Sequence, residues 1–331
     1  MLLQIIKNKY QEQPVFYFSA DHVYFQKITL YELIEDMHLN EGTKTFFIDE
    51  IHKYKNWNQE LKNIYDGFPD IKIIFSGSSS IDLIKGSHDL SRRARLYHLP
   101  GMSFREHLNF NSHLDLPTIS FNELMANHQK LDNVLLNTPK IKGYFKDYLK
   151  QGYYPFQDED PLGYYEKILA VIDKTIYEDI ANFYNLQTAN LQHLKKILSF
   201  LASIPPGRTS VHNIAKNLSI DDKTVLSYLN NLSSAGLIQL LLPAESGLKG
   251  SRRPEKIFLN NTNLQYALEG KINGDVEIGT IRELFFIQNL KNAKQEIFHS
   301  KIGDYSNGNH IFEIGGKNKG SKQIKGVEKA F

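Results

Sequence analysis

The chain has 331 residues, 41% hydrophobic, with 18 Tyr and 20 Phe, which is apolar material for two or three packed domains and excludes a disordered chain. It has no Cys, which excludes a disulfide-stapled secreted domain, a thiolate zinc site and a cysteine nucleophile. Lys and Arg number 39 against 37 Asp and Glu, and a net charge of +2 excludes nucleic-acid binding by bulk charge.

Residues 2–10 place apolar side chains at helical spacing, and Gln13-Pro14 break that helix. Val15 to Phe18 is a short apolar run of the kind that forms a buried parallel strand. Thr29 to Met37 predicts a helix, with Thr29 and Glu32 spaced as a capping box. Thr45 to Ile48 predicts a second strand, Trp57 to Tyr65 a helix, and Ile71 to Phe75 a third strand. Ile81 to Lys85 reads as a short helical piece and Leu96 to Leu99 as a fourth strand. Such alternation argues for a doubly wound parallel sheet.

Residues 103–185 then read as helical, punctuated by Gly152 and Pro155. Leu191 to Leu201 predicts a helix stopped by Pro205-Pro206-Gly207, and Val211 to Leu218 a second. A third is capped by Asp221 or Asp222 and stopped by Gly236. With the apolar strand Leu237 to Leu242, this outlines a winged helix-turn-helix. Ile281 to Leu290 predicts a helix, and Glu296 to His299 and His310 to Ile314 predict strands. No apolar run approaches the roughly 18 residues that cross a bilayer. The start lacks the layout of a signal peptide, so the expectation is a cytoplasmic protein without membrane contact. Both ends read as mid-domain sequence.

Phe46-Phe47-Ile48-Asp49-Glu50 sets two acids at the tip of an apolar strand, where carboxylates are costly unless they act, a solvated loop pair being the alternative. Ser76-Gly77-Ser78 sets small polar residues at the tip of the next strand. Arg92, Arg93 and Arg95 form a cluster suited to neutralising phosphate charge, or a solvated basic turn. Together these strings resemble the prokaryotic AAA-type ATPases of the archaeal-ATPase group. These carry a P-loop domain followed by a C-terminal domain of unknown function. Tyr148 to Phe156, the winged-helix stretch and the tail from Arg282 to Lys317 are similar to that family as well, so the resemblance spans nearly the whole chain.

The resemblance implies ATP and Mg²⁺ as cofactors, with ATP hydrolysis. Asp49 would hold Mg²⁺ through water, and Glu50 would orient and deprotonate the attacking water. Ser76 and Ser78 would be sensors, and Arg92 and Arg93 would meet the developing phosphate charge. If an Arg acts in trans, an oligomer is implied. The chain departs from the pattern in one place: it contains no G-x-x-x-x-G-K-[ST] string. The family's phosphate loop precedes a helix that looks like Leu2 to Ile6. Met1 is therefore expected to fall just after the missing loop and its strand, in a truncated product or an ATPase-dead paralogue that binds ATP weakly or not at all. His52 makes a D-E-x-H string like that of helicases, but no companion helicase motif is present.

The third helix of the winged-helix unit carries one cation, Lys223, beside Ser227, Asn230 and Asn231. The loop after it offers Lys249, Arg252, Arg253 and Lys256 to phosphates. A protein-interaction spacer is the alternative. Residues 246–331 hold 14 Lys and Arg against 9 Asp and Glu, an excess of five positive charges, while the remainder has an excess of three negative. That asymmetry favours an acidic partner, DNA or protein. Glu283, Asp304, Glu313 and Lys317 resemble the acids and lysine of the PD-(D/E)xK nuclease fold. Lys317 stands two residues later than the usual E-x-K, and a fold that has lost cleavage and serves as a binding platform is the preferred reading. No His pair has metal-ligand spacing.

The expected fold class is α/β, in four parts. Residues 1–112 form a P-loop NTPase-like parallel sheet lacking its first strand, and 113–188 a helical lid or linker. Residues 189–245 form the winged helix-turn-helix, and 246–331 an incomplete, nuclease-like α/β domain. Three functions stay open: an ATP-dependent regulator, a non-catalytic nucleic-acid or protein-binding module, and a metal-dependent nuclease.

Overall fold

The computed structural model describes residues 2–11, 13–77, 90, 92–112, 114–127, 129–157, 159–206, 209–243, 253–272, 276–316 and 323–331, with the backbone alone at 130, 131, 133, 134, 271 and 272. The chain is mixed α/β and divides into two compact units, Met1–His98 and Leu99–Phe331.

In the first unit, helix α1 (Leu2–Lys9) leads into strand β1 (Val15–Ser19), helix α2 (Leu30–Glu41), β2 (Thr45–Asp49), α3 (Trp57–Gly67) and β3 (Lys72–Phe75). The strands lie in the order β1-β2-β3, all parallel, with Tyr17 opposite Phe47 and Phe47 opposite Ile74. Central β2 is buried over Thr45 to Ile48. Its neighbours are half-buried, so Val15 to Phe18 forms a strand at a sheet edge rather than a fully buried one. Phe46 and Ile48 pack on one face with Leu30, Ile34, Leu61 and Ile64 from α2 and α3. Phe47 points to the other face, where Tyr10 meets its edge at 5.3 Å. The capping box forms as its spacing predicts: Thr29 accepts from the Glu32 amide and Glu32 from the Thr29 amide. Gly42 ends α2 with φ of 67°, a left-handed turn that suits glycine.

The fourth strand expected at Leu96 to Leu99 is not formed. The backbone there is irregular, Leu96, Tyr97 and Leu99 are exposed, and the boundary between the units falls at His98. An apolar run without a neighbouring strand has nothing to complete its backbone hydrogen bonds. Arg95 instead lies over the Tyr97 ring at 5.0 Å. The helical piece expected at Ile81 to Lys85 lies outside the described residues.

The second unit opens with helices α4 (Phe104–Ser112), α5 (Phe121–Ala126), α6 (Gln129–Leu136) and α7 (Ile141–Gln151). Helix α8 (Tyr164–Lys174) runs through a π-helical turn (Thr175–Ile180) into α9 (Ala181–Tyr184). Helices α10 (Thr188–Ser203), α11 (Val211–Leu218) and α12 (Asp222–Ser234) follow, then strands β4 (Ile238–Leu241) and β5 (Lys256–Leu259), which pair antiparallel. Asp221 caps α12, accepting from the Lys223 and Thr224 amides at 2.9 and 3.0 Å. Helices α13 (Thr262–Ile272) and α14 (Ile278–Asn292) precede a short meander of β6 (Phe298–His299), β7 (Tyr305–Ser306) and β8 (Ile311–Phe312). The two predicted tail strands are therefore shorter than expected, with β7 between them. Phe286, Tyr305 and Phe312 pack against one another to close this end.

Helix α13 has no sequence forecast, because polar residues occupy its buried start. Asn261 and Asn263 are fully buried. The Asn263 side chain accepts from the Tyr153 amide at 2.8 Å and the Tyr164 hydroxyl at 2.5 Å. It donates to the carbonyls of Tyr148 and Leu149 at 3.3 and 2.8 Å. One amide, with both its carbonyl and its amino group engaged, thereby joins α13 to the segment that ends α7.

Candidate functional site

The parallel register builds the site in the first unit. Side chains alternate along a strand, so Tyr17, Phe47, Asp49 and Ile74 share one sheet face, and Ser76 continues it beyond β3. Chain direction puts Asp49 and Ser76 at the carboxyl ends of their strands. The backbone fixes this edge: the Ser76 amide donates to Ile48, the Ile51 amide to Ser76 and the Ala20 amide to Asp49, at 2.9, 2.9 and 2.8 Å.

Asp49 is the hub. Its Oδ2 accepts from the Tyr17 hydroxyl at 3.0 Å. Its Oδ1 accepts from the Ser76 hydroxyl and from the Glu50 amide, the latter at 3.2 Å. Partial burial works to raise the Asp49 pKa, but the donors from Ser76, Tyr17 and Glu50 outweigh it and hold the carboxyl below its ordinary value. Burial and the adjacent Asp49 both push the Tyr17 hydroxyl upward. Asp49 is thus a fixed anion at neutral pH. Tyr17 is absent from the sequence forecast, because in Val15-Phe16-Tyr17-Phe18 it reads as one more apolar strand residue. Its polar tip in such a run is the only signal.

Glu50 adopts φ 50° and ψ 38°, a left-handed conformation uncommon for a non-glycine residue. This turns the chain out of β2 into the 3₁₀ turn Ile51–Lys53, which brings His52 Nδ1 to 3.3 Å from Glu50 Oε2. The His52 side chain is 3% exposed and Glu50 37%. Glu50 therefore presents a half-exposed carboxylate beside the fixed one of Asp49, backed by a buried imidazole.

The arginines stand elsewhere. Leu90 is buried in the core of this unit, and the turn after it directs Arg93 to Asp66, with Nε–Oδ1 at 2.8 Å and Nη2–Oδ2 at 3.0 Å. Asp66 sits in the last turn of α3, which runs back from the carboxyl edge to the start of β3. Arg93 is therefore clamped at the end of the sheet opposite Asp49, and Arg92 is exposed. Ser78 lies outside the described residues.

In the second unit the described nuclease-like acids Glu283, Asp304 and Glu313 do not form a group placed to hold a metal ion. Glu283 on α14 is engaged by Lys256 at 3.1 Å and by the Tyr305 hydroxyl. Lys256 also reaches the Tyr305 oxygen at 3.1 Å and lies over its ring. Asp304 accepts from the Ile314 amide at 2.8 Å. The β7–β8 pairing sets Asp304 opposite Glu313, but Lys317 lies outside the described residues. Of the loop cations, Lys249 and Arg252 also lie outside them, and Arg253 is paired with Asp222 at the start of α12, 3.1 Å away. Among the described residues, no group of three or more His, Asp or Glu is placed to hold a metal ion, and no helix is long and apolar enough to cross a membrane.

The donor set at the sheet edge suits Mg²⁺ held through water, because Mg²⁺ keeps most of its waters and takes one or two carboxylates. Asp49 supplies the charge and Ser76 a hydroxyl. A phosphate cradle is a different matter, since the sequence offers no phosphate-loop string to supply it.

Residues 1–108 match the family model described as an AAA domain. Residues 142–274 match the model of a domain of unknown function (DUF8612). An uncharacterized protein of Methanocaldococcus jannaschii is 30% identical over 290 residues, which is 83% of this chain. The chain spans 60% of that relative's length. No solved structure matches.

Proposed function

We propose that the first unit is the magnesium and water-activating half of an AAA-type ATP-hydrolysing site. The observation that carries this reading is the convergence of Tyr17, Ser76 and the Glu50 amide on an ionised Asp49 at the carboxyl edge of a parallel sheet. The match of residues 1–108 to an AAA domain supports it. In this reading Asp49 holds the hydrated Mg²⁺, which when bound would neutralise phosphate charge, and Ser76, the sensor, steadies the Asp49 carboxylate. Glu50 orients a water and takes its proton, with His52 fixing the carboxylate's direction. Arg93 is a structural clamp within this chain, and any charge-neutralising arginine is supplied otherwise.

ATP affinity should be low for residues 1–331 alone, because no phosphate-loop string is present. The test is equilibrium binding of a fluorescent ATP analogue in Mg²⁺. Micromolar affinity would contradict it.

For the second unit we infer a winged helix built on α10, α11, α12 and the β4–β5 ribbon, followed by a nuclease-like end that does not cleave. The separate engagement of Glu283 and Asp304 supports the second part. Nicking of supercoiled plasmid in Mn²⁺, abolished by Asp304→Ala, would overturn it.

A further inference from the structure

Helix α7 carries Lys142, Lys146 and Lys150 at i, i+4 and i+8, and all three are exposed. This spacing places them on one stripe, about 6 Å apart along the axis. That separation is of the order of the interval between successive phosphates on an extended strand. Among the described residues none of the three is in an ion pair.

The neighbouring stripe of the same helix, Phe145 and Leu149, opens into a cleft of about 300 Å³. Its other walls are Phe285 and Phe286 of α14 and the chain leaving β8 at Glu313 to Gly315. The aromatic walls are half-buried, and Phe145 meets Phe285 edge to face at 5.0 Å. Arg282 stands at the rim, exposed. Its Nη1 lies 2.6 Å from where a Cβ on Gly316 would be, so the missing side chain leaves room for the guanidinium. Glu313 lines the same space, and among the described nuclease-like residues neither Glu283 nor Asp304 does.

An apolar side chain of a folded partner would have no use for the lysine stripe. A DNA duplex would put its bases out of reach of the aromatic walls. The combination of a cation track beside an aromatic slot is that of single-strand recognition, where phosphates follow the cations and an unstacked base enters the slot. A carboxylate at the slot can accept from a base amino group. The positive excess of residues 246–331 has the sign such a ligand needs.

We propose that the cleft between α7 and α14 binds single-stranded nucleic acid, stacking one base against the wall that Phe145 and Phe285 form together, with its backbone along Lys142, Lys146, Lys150 and Arg282. This site is independent of the ATP reading. The test is fluorescence anisotropy on the full chain with a short labelled oligodeoxynucleotide in EDTA, which removes any metal-dependent step.

The single strand should bind more tightly than the same sequence as duplex. A strand of abasic residues should bind at least about tenfold more weakly, the loss expected for one stacked base. Replacing all three lysines by alanine should lower the slope of log affinity against log salt by about 2, at about 0.7 per phosphate contact. Its circular dichroism and Tm should stay unchanged, since the side chains are exposed. Arg282→Ala should weaken binding as well.

Equal binding of duplex and single strand would overturn the proposal. So would equal binding of the abasic strand, or a lysine variant with the wild-type salt slope. Absence of binding at low salt would overturn it too, and would leave the cleft to a protein segment.

Discussion

Asp49 draws three donors onto one carboxylate, and its acidity follows. Its folded pKa is lowered, so it contributes stability that is present above the ordinary carboxyl pKa of about 3.8 and is lost as pH falls through the lowered folded value. Asp49→Asn should flatten the acid limb of the stability profile in urea titrations between pH 5 and 2. It should also leave the Ser76 and Tyr17 hydroxyls facing an amide that satisfies them less well. An unchanged acid limb would show that the hub is not formed in solution. Asn263 is a second hub, with a structural role. Asn263→Leu removes the acceptor for a buried amide and a buried hydroxyl. Each orphaned group costs about 1–3 kcal/mol, so denaturant unfolding should register a loss of at least about 2 kcal/mol. At this scale the sequence was legible where charge met pattern, as at Asp49-Glu50. It was opaque where a residue's polar tip hides in an apolar run, as with Tyr17, or where buried amides imitate a loop, as with Asn261 and Asn263.

Among the elements, strands and helices of the first unit follow their periodicity closely, and the Thr29 capping box was readable from spacing. Thr29→Ala should destabilise that unit by about 1 kcal/mol, read as a lower urea midpoint. Leu96 to Leu99 shows the limit of such reading. Its residues look like a strand, but strand formation needs a neighbour that composition does not reveal. The two-residue strand β7 was equally invisible, since it gains its place from pairing with β6 and β8. The tail acids teach a related lesson. Glu283 has the spacing of a catalytic acid, and it is engaged by Lys256 and Tyr305, tying α14 to β5 and β7. The side chains of this pair are 12% and 25% exposed. Glu283→Gln should therefore cost about 2 kcal/mol, between the values for surface and fully buried pairs. A double-mutant cycle with Lys256→Met should return a coupling energy above about 0.5 kcal/mol. A coupling near zero would restore Glu283 as a candidate for chemistry.

The whole molecule comprises two compact units with separate cores. Calorimetry should resolve more than one unfolding transition. Thr29→Ala should move only the transition of the first unit and Asn263→Leu only that of the second. A single transition shifted by both would mean that the units fold together. Net charge of +2 conceals a division of labour on this scale: an acid-rich sheet edge in one unit and a cation-lined cleft in the other. At saturating ATP and Mg²⁺, ATP binding and single-turnover hydrolysis are compared for the protein with Glu50 and for Glu50→Gln. Retained binding with hydrolysis reduced by about 10² or more is the expected result for loss of a general base. Hydrolysis at the unmodified rate would contradict the assignment of the Asp49–Glu50 edge as the catalytic site.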